Sequence, residues 1–382
     1  MNSTPSRAAR LHEIGQSIWL DFIRRGHLRS GEFGRLVRDA GVRGVTSNPT
    51  IFQQAIGGSA DYDAAIESGV SAGLSPEALL DELILEDIRE ACDRLAPLSE
   101  ESAGLDGRVS IEVNPRLARD TAGTVAEARR LHAAVARPNV MIKVPATAEG
   151  LPAITRLTAD GISVNVTLIF SLERHEQVME AYLAGLETRA QRGEALDRIF
   201  SVASFFVSRV DTKIDKAIEE ELPRLIPGDP ARSELADLRG KAAIANARLA
   251  YRNFRNVFEA QRFTVLAEQG ANVQRPLWAS TGTKNPAYPD TLYVDELVGP
   301  DTVNTVPPQT LEAFNDHGAV AETVTQDVEE AEYVFARLPA LGIPLESRIE
   351  ELEAEGVTAF VKSWDALVAA LEGRVREIVA RR

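Results

Sequence analysis

The sequence contains little cysteine and no long hydrophobic stretch, and each shortage excludes a class of protein. Cys92 is the one cysteine among 382 residues, so an intrachain disulfide cannot form. No apolar run approaches the roughly 20 residues that a membrane-spanning helix needs. Positions 1–10 carry arginines without the apolar stretch of a secretory signal. We therefore expect a cytoplasmic protein with no membrane partner.

Positive charge is also in short supply, with 42 Lys and Arg against 57 Asp and Glu and a net charge of −15. Nucleic acids and anionic membranes select basic surfaces, so neither is expected as a partner. The five histidines, at positions 12, 27, 132, 175 and 317, show none of the paired spacing of metal ligands. We expect no metal and no other cofactor. A small anionic substrate could still bind in a local positive pocket.

The sequence does contain a regular alternation of short β-type runs and longer helical patterns. Eight candidate strands lie at 17–22, 44–51, 108–113, 140–144, 163–170, 199–206, 276–280 and 302–306. Helical segments lie between them, for example 76–95, which Ser75 caps and Pro76 begins, and 149–158. Alternation of this kind predicts parallel pairing with right-handed crossovers, and eight strands predict an α/β fold closed into a (β/α)8, or TIM, barrel.

Two segments exceed what such a barrel requires. Segment 211–274 predicts two or three helices broken near 227–230, and segment 311–382 is again helical, with breaks predicted at 342–344 and at Gly356. An acidic stretch at 346–355 is expected to form a solvated face. We predict one barrel domain over 1–382 to which both segments are additions. Segment 211–274 could cover the barrel or form a dimer contact, so a monomer and a homodimer are both compatible with the sequence.

A lysine interrupts the apolar run at 140–147 (VMIKVPAT). Burial disfavours the charged form of a lysine and makes a neutral, nucleophilic amine available. Such an amine can attack a carbonyl to form a Schiff base, and the protonated imine then accepts electrons when a neighbouring carbon–carbon bond breaks. The alternative is an edge lysine whose stem packs while its amine reaches water. For Lys143 the choice depends on its neighbours.

In a barrel of this kind the site forms at the carboxyl ends of the strands, where this sequence places many polar residues. These are Asp21 on the first strand, Thr46, Ser47 and Asn48 on the second, Glu112 and Asn114 on the third, Lys143 on the fourth, Asn165 and Thr167 on the fifth, Ser204 and Arg209 on the sixth, and Ser280 to Lys284 after the seventh. Each alone has an ordinary structural explanation, such as a turn at Asn48. Their convergence at one mouth favours a site, because carboxylates on either side of a lysine supply the acid and base that imine chemistry needs.

Five blocks of the sequence closely resemble the transaldolase family and follow its order over about 18–310. They are 44–52 (GVTSNPTIF), 142–147 (IKVPAT), 165–171 (NVTLIFS), 204–211 (SFFVSRVD) and 279–285 (ASTGTKN). The resemblance implies a (β/α)8 barrel enzyme of the pentose phosphate pathway that acts on sugar phosphates. It implies transfer of a three-carbon dihydroxyacetone unit from sedoheptulose 7-phosphate to glyceraldehyde 3-phosphate, which gives erythrose 4-phosphate and fructose 6-phosphate.

The resemblance also implies a role for each matching residue. Lys143 matches the Schiff-base lysine, Asp21 the acid/base on the hydroxyl beside the cleaved bond, and Glu112 the carboxylate that works through a water. The other matches are Thr167, which helps to hold that water, Asn48 and Asn165, which bind hydroxyls of the dihydroxyacetone unit, Ser204 and Arg209 at phosphate-binding positions, and Thr46, Phe206 and Lys284 as further substrate contacts.

Two departures from the family pattern concern the phosphate side of the site. Many members have Ser-Pro-Phe-Val-Gly-Arg where this chain has Phe205 and Ser208 in place of the proline and the glycine. Many have an arginine after the seventh strand where this chain has Lys284 in a longer loop. A lysine holds phosphate as a point charge, not as a bidentate fork, so the charge is preserved and the geometry differs.

Three alternatives to a transaldolase are distinguishable in the sequence. A fructose 6-phosphate aldolase of the same superfamily releases free dihydroxyacetone, but those relatives are shorter and tend to have Gln in place of Glu112 and Tyr in place of Phe206. A metal-dependent aldolase needs clustered histidines. A non-catalytic phosphosugar-binding protein is expected to lack Asp21, Glu112 or Lys143, and all three are present.

Overall fold

The computed structural model describes residues 5–380 and contains a closed barrel of eight parallel strands in sequence order. The strands are β1 Gln16–Leu20, β2 Val42–Thr46, β3 Arg108–Glu112, β4 Val140–Pro145, β5 Val164–Ile169, β6 Ser201–Phe206, β7 Gln274–Ala279 and β8 Thr302–Val306. Each strand pairs with the next, and β8 pairs with β1. This topology confirms the barrel predicted from the strand–helix alternation.

Helices surround the barrel and extend beyond it. They are α1 Arg7–Leu11, α2 Arg25–Arg29, α3 Glu32–Asp39, α4 Pro49–Gly58, α5 Asp63–Ser71, α6 Pro76–Glu101, α7 Thr121–Val135, α8 Gly150–Ala159, α9 Leu172–Gln191, α10 Ser208–Glu221, α11 Pro230–Asp237, α12 Ala242–Phe258, α13 Gln261–Ala267, α14 Leu292–Asp295, α15 Pro308–His317, α16 Val328–Ala340 and α17 Leu345–Ala380. None of the helices described over residues 5–380 has the length and apolar character that crossing a membrane requires.

The barrel strands are buried on both faces, which explains their nearly continuous apolar sequences. Polar residues interrupt these sequences where three neighbouring strands approach the mouth. In the strand register, Lys143 of β4 lies opposite Glu112 of β3 on one side and Asn165 of β5 on the other. The register thus places an amine, a carboxylate and an amide at the same level of the barrel.

Two predicted boundaries differ from the structure because of local capping. The second strand, predicted over 44–51, ends at Thr46, and α4 begins at Pro49. The Oδ1 atom of Asn48 accepts a hydrogen bond of 3.0 Å from the Ile51 N–H, so Asn48 is an N-cap and Pro49 occupies the first helical position. The helix predicted over 76–95 continues through Pro97 to Glu101.

The helix break predicted at Gly356 is wrong. Gly356 lies inside α17, which has 36 residues and is about 54 Å long at 1.5 Å per residue. A Cβ atom at this position would lie 2.9 Å from the Cδ2 atom of Leu168 in β5. The glycine therefore allows α17 to approach the carboxyl end of the barrel closely, and it is retained for packing despite its low helix propensity.

The acidic stretch at 346–355 is not simply a solvated face, as predicted, because part of it makes ion pairs with the barrel helices. Glu351 and Glu355 lie 2.7 and 2.5 Å from the Nζ atom of Lys213 in α10, and Glu353 lies 3.0 Å from the Nε atom of Arg174 in α9. These contacts fix α17 against the two helices that follow β5 and β6. The segment 211–274 contains parts of four helices, α10 to α13, and not the two or three predicted, whereas the break at 227–230 is as predicted.

Candidate active site

A cavity of about 270 Å³ opens at the carboxyl ends of the strands. Eight of the eleven sequence-predicted site residues line it: Asp21, Thr46, Asn48, Lys143, Ser204, Phe206, Arg209 and Lys284. The other three, Glu112, Asn165 and Thr167, are buried on the strands that flank Lys143 and do not line the cavity itself. The structure therefore brings the predicted residues together in two groups, one around the cavity and one beside the lysine.

Lys143 is buried at the base of this cavity, with 5% of its surface exposed. Its Nζ atom donates a hydrogen bond of 3.4 Å to the carbonyl oxygen of Ser47 and lies 3.8 Å from Oε2 of Glu112. The amine is thus held inside the barrel and does not extend to bulk water along the surface. This placement rules out the edge-lysine alternative that the sequence left open.

Glu112 has the electrostatic properties of a group that can exchange a proton near neutral pH. Burial raises the pKa of its carboxyl to about 7, and the charge of Lys143 opposes that rise. Both carboxylate oxygens of Glu112 and the Oγ1 atom of Thr167 are buried and have no hydrogen-bond partner among residues 5–380. These three oxygens are therefore available to a water or a substrate atom, and a carboxyl with a pKa near 7 can act as acid or base toward it.

Asp21 lies on the opposite side of the cavity and belongs to a chain of hydroxyl groups. The Oγ1 atom of Thr46 donates to Oδ1 of Asp21 at 2.7 Å. Thr46 is also 2.6 Å from the hydroxyl of Thr305, which must donate because Thr46 has already used its one proton. Burial raises the pKa of Asp21, and Lys143, the Thr46 hydrogen bond and Lys284 oppose the rise. Thr305 was not predicted, although it lies at the carboxyl end of a predicted strand.

The side chains of Asn48 and Asn165 differ in which amide atoms remain free to bind a ligand. Asn48 uses its side-chain oxygen to cap α4, so its amide nitrogen remains available at the cavity wall. Asn165 accepts a hydrogen bond of 2.7 Å from Ser204 and donates one of 3.0 Å to Ser110, and it is fully buried. Ser204, predicted at a phosphate-binding position, thus donates its hydroxyl proton to Asn165. One N–H of the Asn165 amide remains for a ligand.

Arg209 and Lys284 give the cavity a positive rim. Within residues 5–380 neither side chain forms an ion pair with a carboxylate, whereas many other arginines do. The Arg209 guanidinium lies 5.4 Å from the ring centre of Phe206, and its pKa is lowered by burial, with Glu355 opposing. Two unpaired cations at one edge of a cavity in a protein of net charge −15 form a ready binding site for an anion.

Two residues with left-handed backbone lie where β5 and β7 reach the mouth. Leu168 and Ser280 have φ angles of +62° and +56°, a region that side-chain-bearing residues rarely adopt. The hydroxyls of Ser208 and Ser280 are 2.9 Å apart, and the Ser208 N–H donates to the Ser280 carbonyl at 3.1 Å. Ser208, at a position where the family pattern often has glycine, thus links the start of α10 to the end of β7. The left-handed backbone of Leu168 and Ser280 costs on the order of 1–3 kcal/mol per residue, and strain of this kind commonly occurs at functional sites.

Phe360 of α17 lines the cavity beside Lys143, and sequence reasoning missed it. Its ring centre lies 5.7 Å from Nζ of Lys143, and the side chain is 6% exposed. Further along α17, Ser363 bonds to Thr50 at 2.8 Å and Asp365 pairs with Arg116 at 2.6 Å. No local signal could have identified Phe360, because its role depends on how the far end of the chain crosses the barrel.

The donor set at the mouth favours carbonyl chemistry on an anionic substrate. It combines one enclosed amine, two carboxyl groups with raised pKa values, amide and hydroxyl groups, and two unpaired cations. Over residues 5–380, no three His, Cys, Asp or Glu side chains are grouped so that they could hold a metal ion. An amine between two carboxyl groups can form an imine and move the protons that bond cleavage requires.

Comparison with known proteins agrees with this geometry. The family described as transaldolase/fructose-6-phosphate aldolase matches residues 18–371. A transaldolase of Saccharopolyspora erythraea is 53% identical over 367 residues, which cover 96% of this chain and 97% of that protein. Transaldolases of Thermobifida fusca and Trichodesmium erythraeum are 52% identical over 363 residues and 46% identical over 370 residues, covering at least 94% of each chain. The chain therefore belongs to the transaldolase/fructose-6-phosphate aldolase family.

Proposed function

We propose that this chain transfers a dihydroxyacetone unit from sedoheptulose 7-phosphate to glyceraldehyde 3-phosphate through an imine on Lys143, in the cytoplasm. Relatives at about half identity over nearly the whole chain carry the name transaldolase, and the chain is an enzyme of this transferase type. The observation that carries the proposal is the enclosed Lys143 amine between Glu112 and Asp21, beneath two unpaired cations.

The first stage is imine formation at the ketone carbon of the donor. The amine of Lys143, in its unprotonated form, attacks the carbonyl carbon, and the resulting carbinolamine must lose its oxygen as water. Glu112, whose pKa is about 7, supplies a proton to that oxygen and later takes one back, acting through a water that its free oxygens and Thr167 can hold. The product is a protonated imine, whose positive nitrogen attracts the electrons of the next step.

The second stage is cleavage and re-formation of a carbon–carbon bond. Asp21 takes the proton from the hydroxyl beside the bond, the bond breaks to release an aldehyde, and its electron pair moves to the imine to form an enamine. The acceptor aldehyde then enters, the enamine carbon attacks it, and Asp21 returns the proton. The hydrogen bond from Thr46 orients the carboxyl of Asp21 throughout.

The three-carbon enamine must survive until the acceptor arrives, so the access of water to it determines whether the unit is transferred or released. Phe360 lies near the lysine amine, and the Phe206 ring packs against that of Phe170 in a tilted arrangement, with ring centres 5.1 Å apart. Both rings lack a polar atom that could position a hydrolytic water. This favours transfer over release of free dihydroxyacetone, which is the lyase outcome.

The proposal is tested by turnover with fructose 6-phosphate, with and without erythrose 4-phosphate as acceptor. A transferase forms sedoheptulose 7-phosphate in the presence of acceptor and releases little free dihydroxyacetone in its absence. Release of dihydroxyacetone at the same rate with and without acceptor contradicts the proposal and identifies a lyase.

Loss of the arginine at the rim is expected to weaken binding of phosphorylated sugars selectively. Each hydrogen bond to a charged group contributes about 1.5–3 kcal/mol, which corresponds to roughly one to two orders of magnitude in binding. We expect Arg209→Ala to raise KM for fructose 6-phosphate by that factor and to change activity toward unphosphorylated fructose little. Lys284→Ala should act in the same direction but more weakly, because an ammonium offers no bidentate fork. Equal losses with both sugars would assign these residues to the fold or the chemistry.

Replacing Glu112 and Phe206 together is expected to increase the release of free dihydroxyacetone, which is the lyase outcome. Glu112→Gln removes the carboxyl that titrates near pH 7, and Phe206→Tyr adds a hydroxyl that can position a water. The double variant should release free dihydroxyacetone at an increased fraction of total turnover, measured without acceptor. Phe205→Tyr is the matched control, since Phe205 packs on Trp278 and does not line the cavity. An unchanged fraction in the double variant contradicts the assigned role.

A further inference from the structure

A second cavity of about 480 Å³ lies outside the active site and shares two side chains with it. Arg209 and Lys284 line both cavities, so they form the boundary between the inner space above Lys143 and an outer space between α10 and α17. A group bound to these two cations can therefore extend in either direction. Under the proposed function the donor sugar extends inward, toward Lys143, and the outer space is larger than the inner one.

The walls of this outer cavity carry more positive than negative side chains. They include five cationic side chains, two of them Arg209 and Lys284, and two carboxylates, those of Glu220 and Glu355. The whole chain, in contrast, has a net charge of −15. A positive cavity in so acidic a protein concentrates anions locally, and its partly enclosed walls reduce screening by salt.

The outer cations differ in how closely carboxylates of the protein already pair with them. Lys213 pairs closely with two glutamates of α17, as described above. Lys216 has its nearest carboxylate oxygen at 4.0 Å, in Glu220, and Arg348 at 3.5 Å, in Glu351. Both distances exceed those at Lys213, so Lys216 and Arg348 are the outer cations that carboxylates neutralise least closely.

We propose that the outer cavity binds a di- or triphosphate group, with one phosphate on Arg209 and Lys284 and the next on Lys216 and Arg348. A condensed phosphate carries negative charge on adjacent groups, which suits a cavity whose cations come from both of its walls, Lys216 from α10 and Arg348 from α17, beside the shared pair. A single phosphate requires the inner pair alone. Because the inner pair is shared, the ligand competes with the sugar phosphate, and the enzyme is inhibited. This inference rests on the proposed function in one respect, that Arg209 and Lys284 hold the phosphate of the substrate.

The test compares orthophosphate, pyrophosphate and tripolyphosphate as competitive inhibitors against fructose 6-phosphate, with EDTA present to remove divalent cations that bind polyphosphate. We expect pyrophosphate and tripolyphosphate to bind at least about tenfold more tightly than orthophosphate, the factor expected for one further hydrogen bond to a charged group. Equal inhibition constants for the three anions overturn the proposal. Inhibition by ATP as strong as by tripolyphosphate indicates a nucleotide as the source, and much weaker inhibition indicates an inorganic chain; both agree with the site.

Variants in the outer cavity distinguish a second anion site from an extension of the substrate site. In Lys216→Gln/Arg348→Gln, pyrophosphate should lose its advantage over orthophosphate, while KM for fructose 6-phosphate stays unchanged. The matched control is Lys241→Gln/Arg376→Gln, which removes the same charge at exposed positions outside both cavities. A KM raised in parallel with the pyrophosphate constant overturns the proposal. Calorimetric titration with pyrophosphate tests the site independently, so an enzyme without transfer activity would refute the proposed function alone.

Discussion

Replacing Lys143 by methionine is expected to lower transfer activity by at least about four orders of magnitude, because no other amine of the cavity is enclosed beside two carboxyl groups. Methionine has a similar length and is apolar, so it suits the buried strand position. Glu112 would lose its partner, but its pKa is already about 7 and rises further without the lysine. The carboxyl therefore becomes neutral instead of leaving a buried charge, and the variant should fold.

Borohydride trapping gives this prediction a direct chemical measurement. With fructose 6-phosphate, the wild type should acquire a three-carbon adduct on the peptide that contains Lys143, and Lys143→Met should acquire none. Lys241→Met is the control, because it removes an exposed lysine whose ion pair with Glu330 contributes little to stability. An adduct on Lys213 or Lys284 in the wild type would contradict the assignment.

The barrel and most of its site are predictable because both depend on short-range patterns. Alternating strands and helices predict closure, and the polar residues at strand ends follow from the rule that these ends meet at one mouth. The strand register then explains why Lys143, Glu112 and Asn165 become neighbours, although they are far apart in the sequence. Each of these inferences needs only the residue's place within its own strand.

The parts that sequence reasoning missed depend on contacts between distant segments. Gly356 predicts a helix break from its own propensity, but close packing against Leu168 decides the outcome in the folded chain. Phe360 resembles any apolar residue of an amphipathic helix until α17 is placed across the mouth. The β-type residues at 49–51 predict a strand, but the Asn48 cap and Pro49 start a helix there. Tertiary packing and capping thus overrode local propensity at these positions.

Asp21→Asn is expected to block cleavage of the carbon–carbon bond while imine formation continues, which separates the two chemical stages. Asparagine retains an oxygen that can accept the hydrogen bond from Thr46, so the local structure should persist. It cannot take a proton from the substrate hydroxyl, and loss of a general base commonly costs about 10²–10⁴ in rate. Imine formation depends on Lys143 and Glu112 and should continue. The variant should therefore bind fructose 6-phosphate covalently and fail to cleave it.

Trapping again distinguishes these stages, this time by the mass of the adduct. Borohydride should fix an uncleaved six-carbon sugar phosphate on Lys143 of Asp21→Asn, where the wild type yields the three-carbon adduct. Thr305→Val serves as the control, because it removes the hydroxyl that donates to Thr46 and leaves the carboxyl in place. That variant should lose only about tenfold in rate, the effect of about one hydrogen bond. A three-carbon adduct formed at the wild-type rate in Asp21→Asn would show that another group removes the proton, and Glu112 would then be the remaining carboxyl beside the lysine to test.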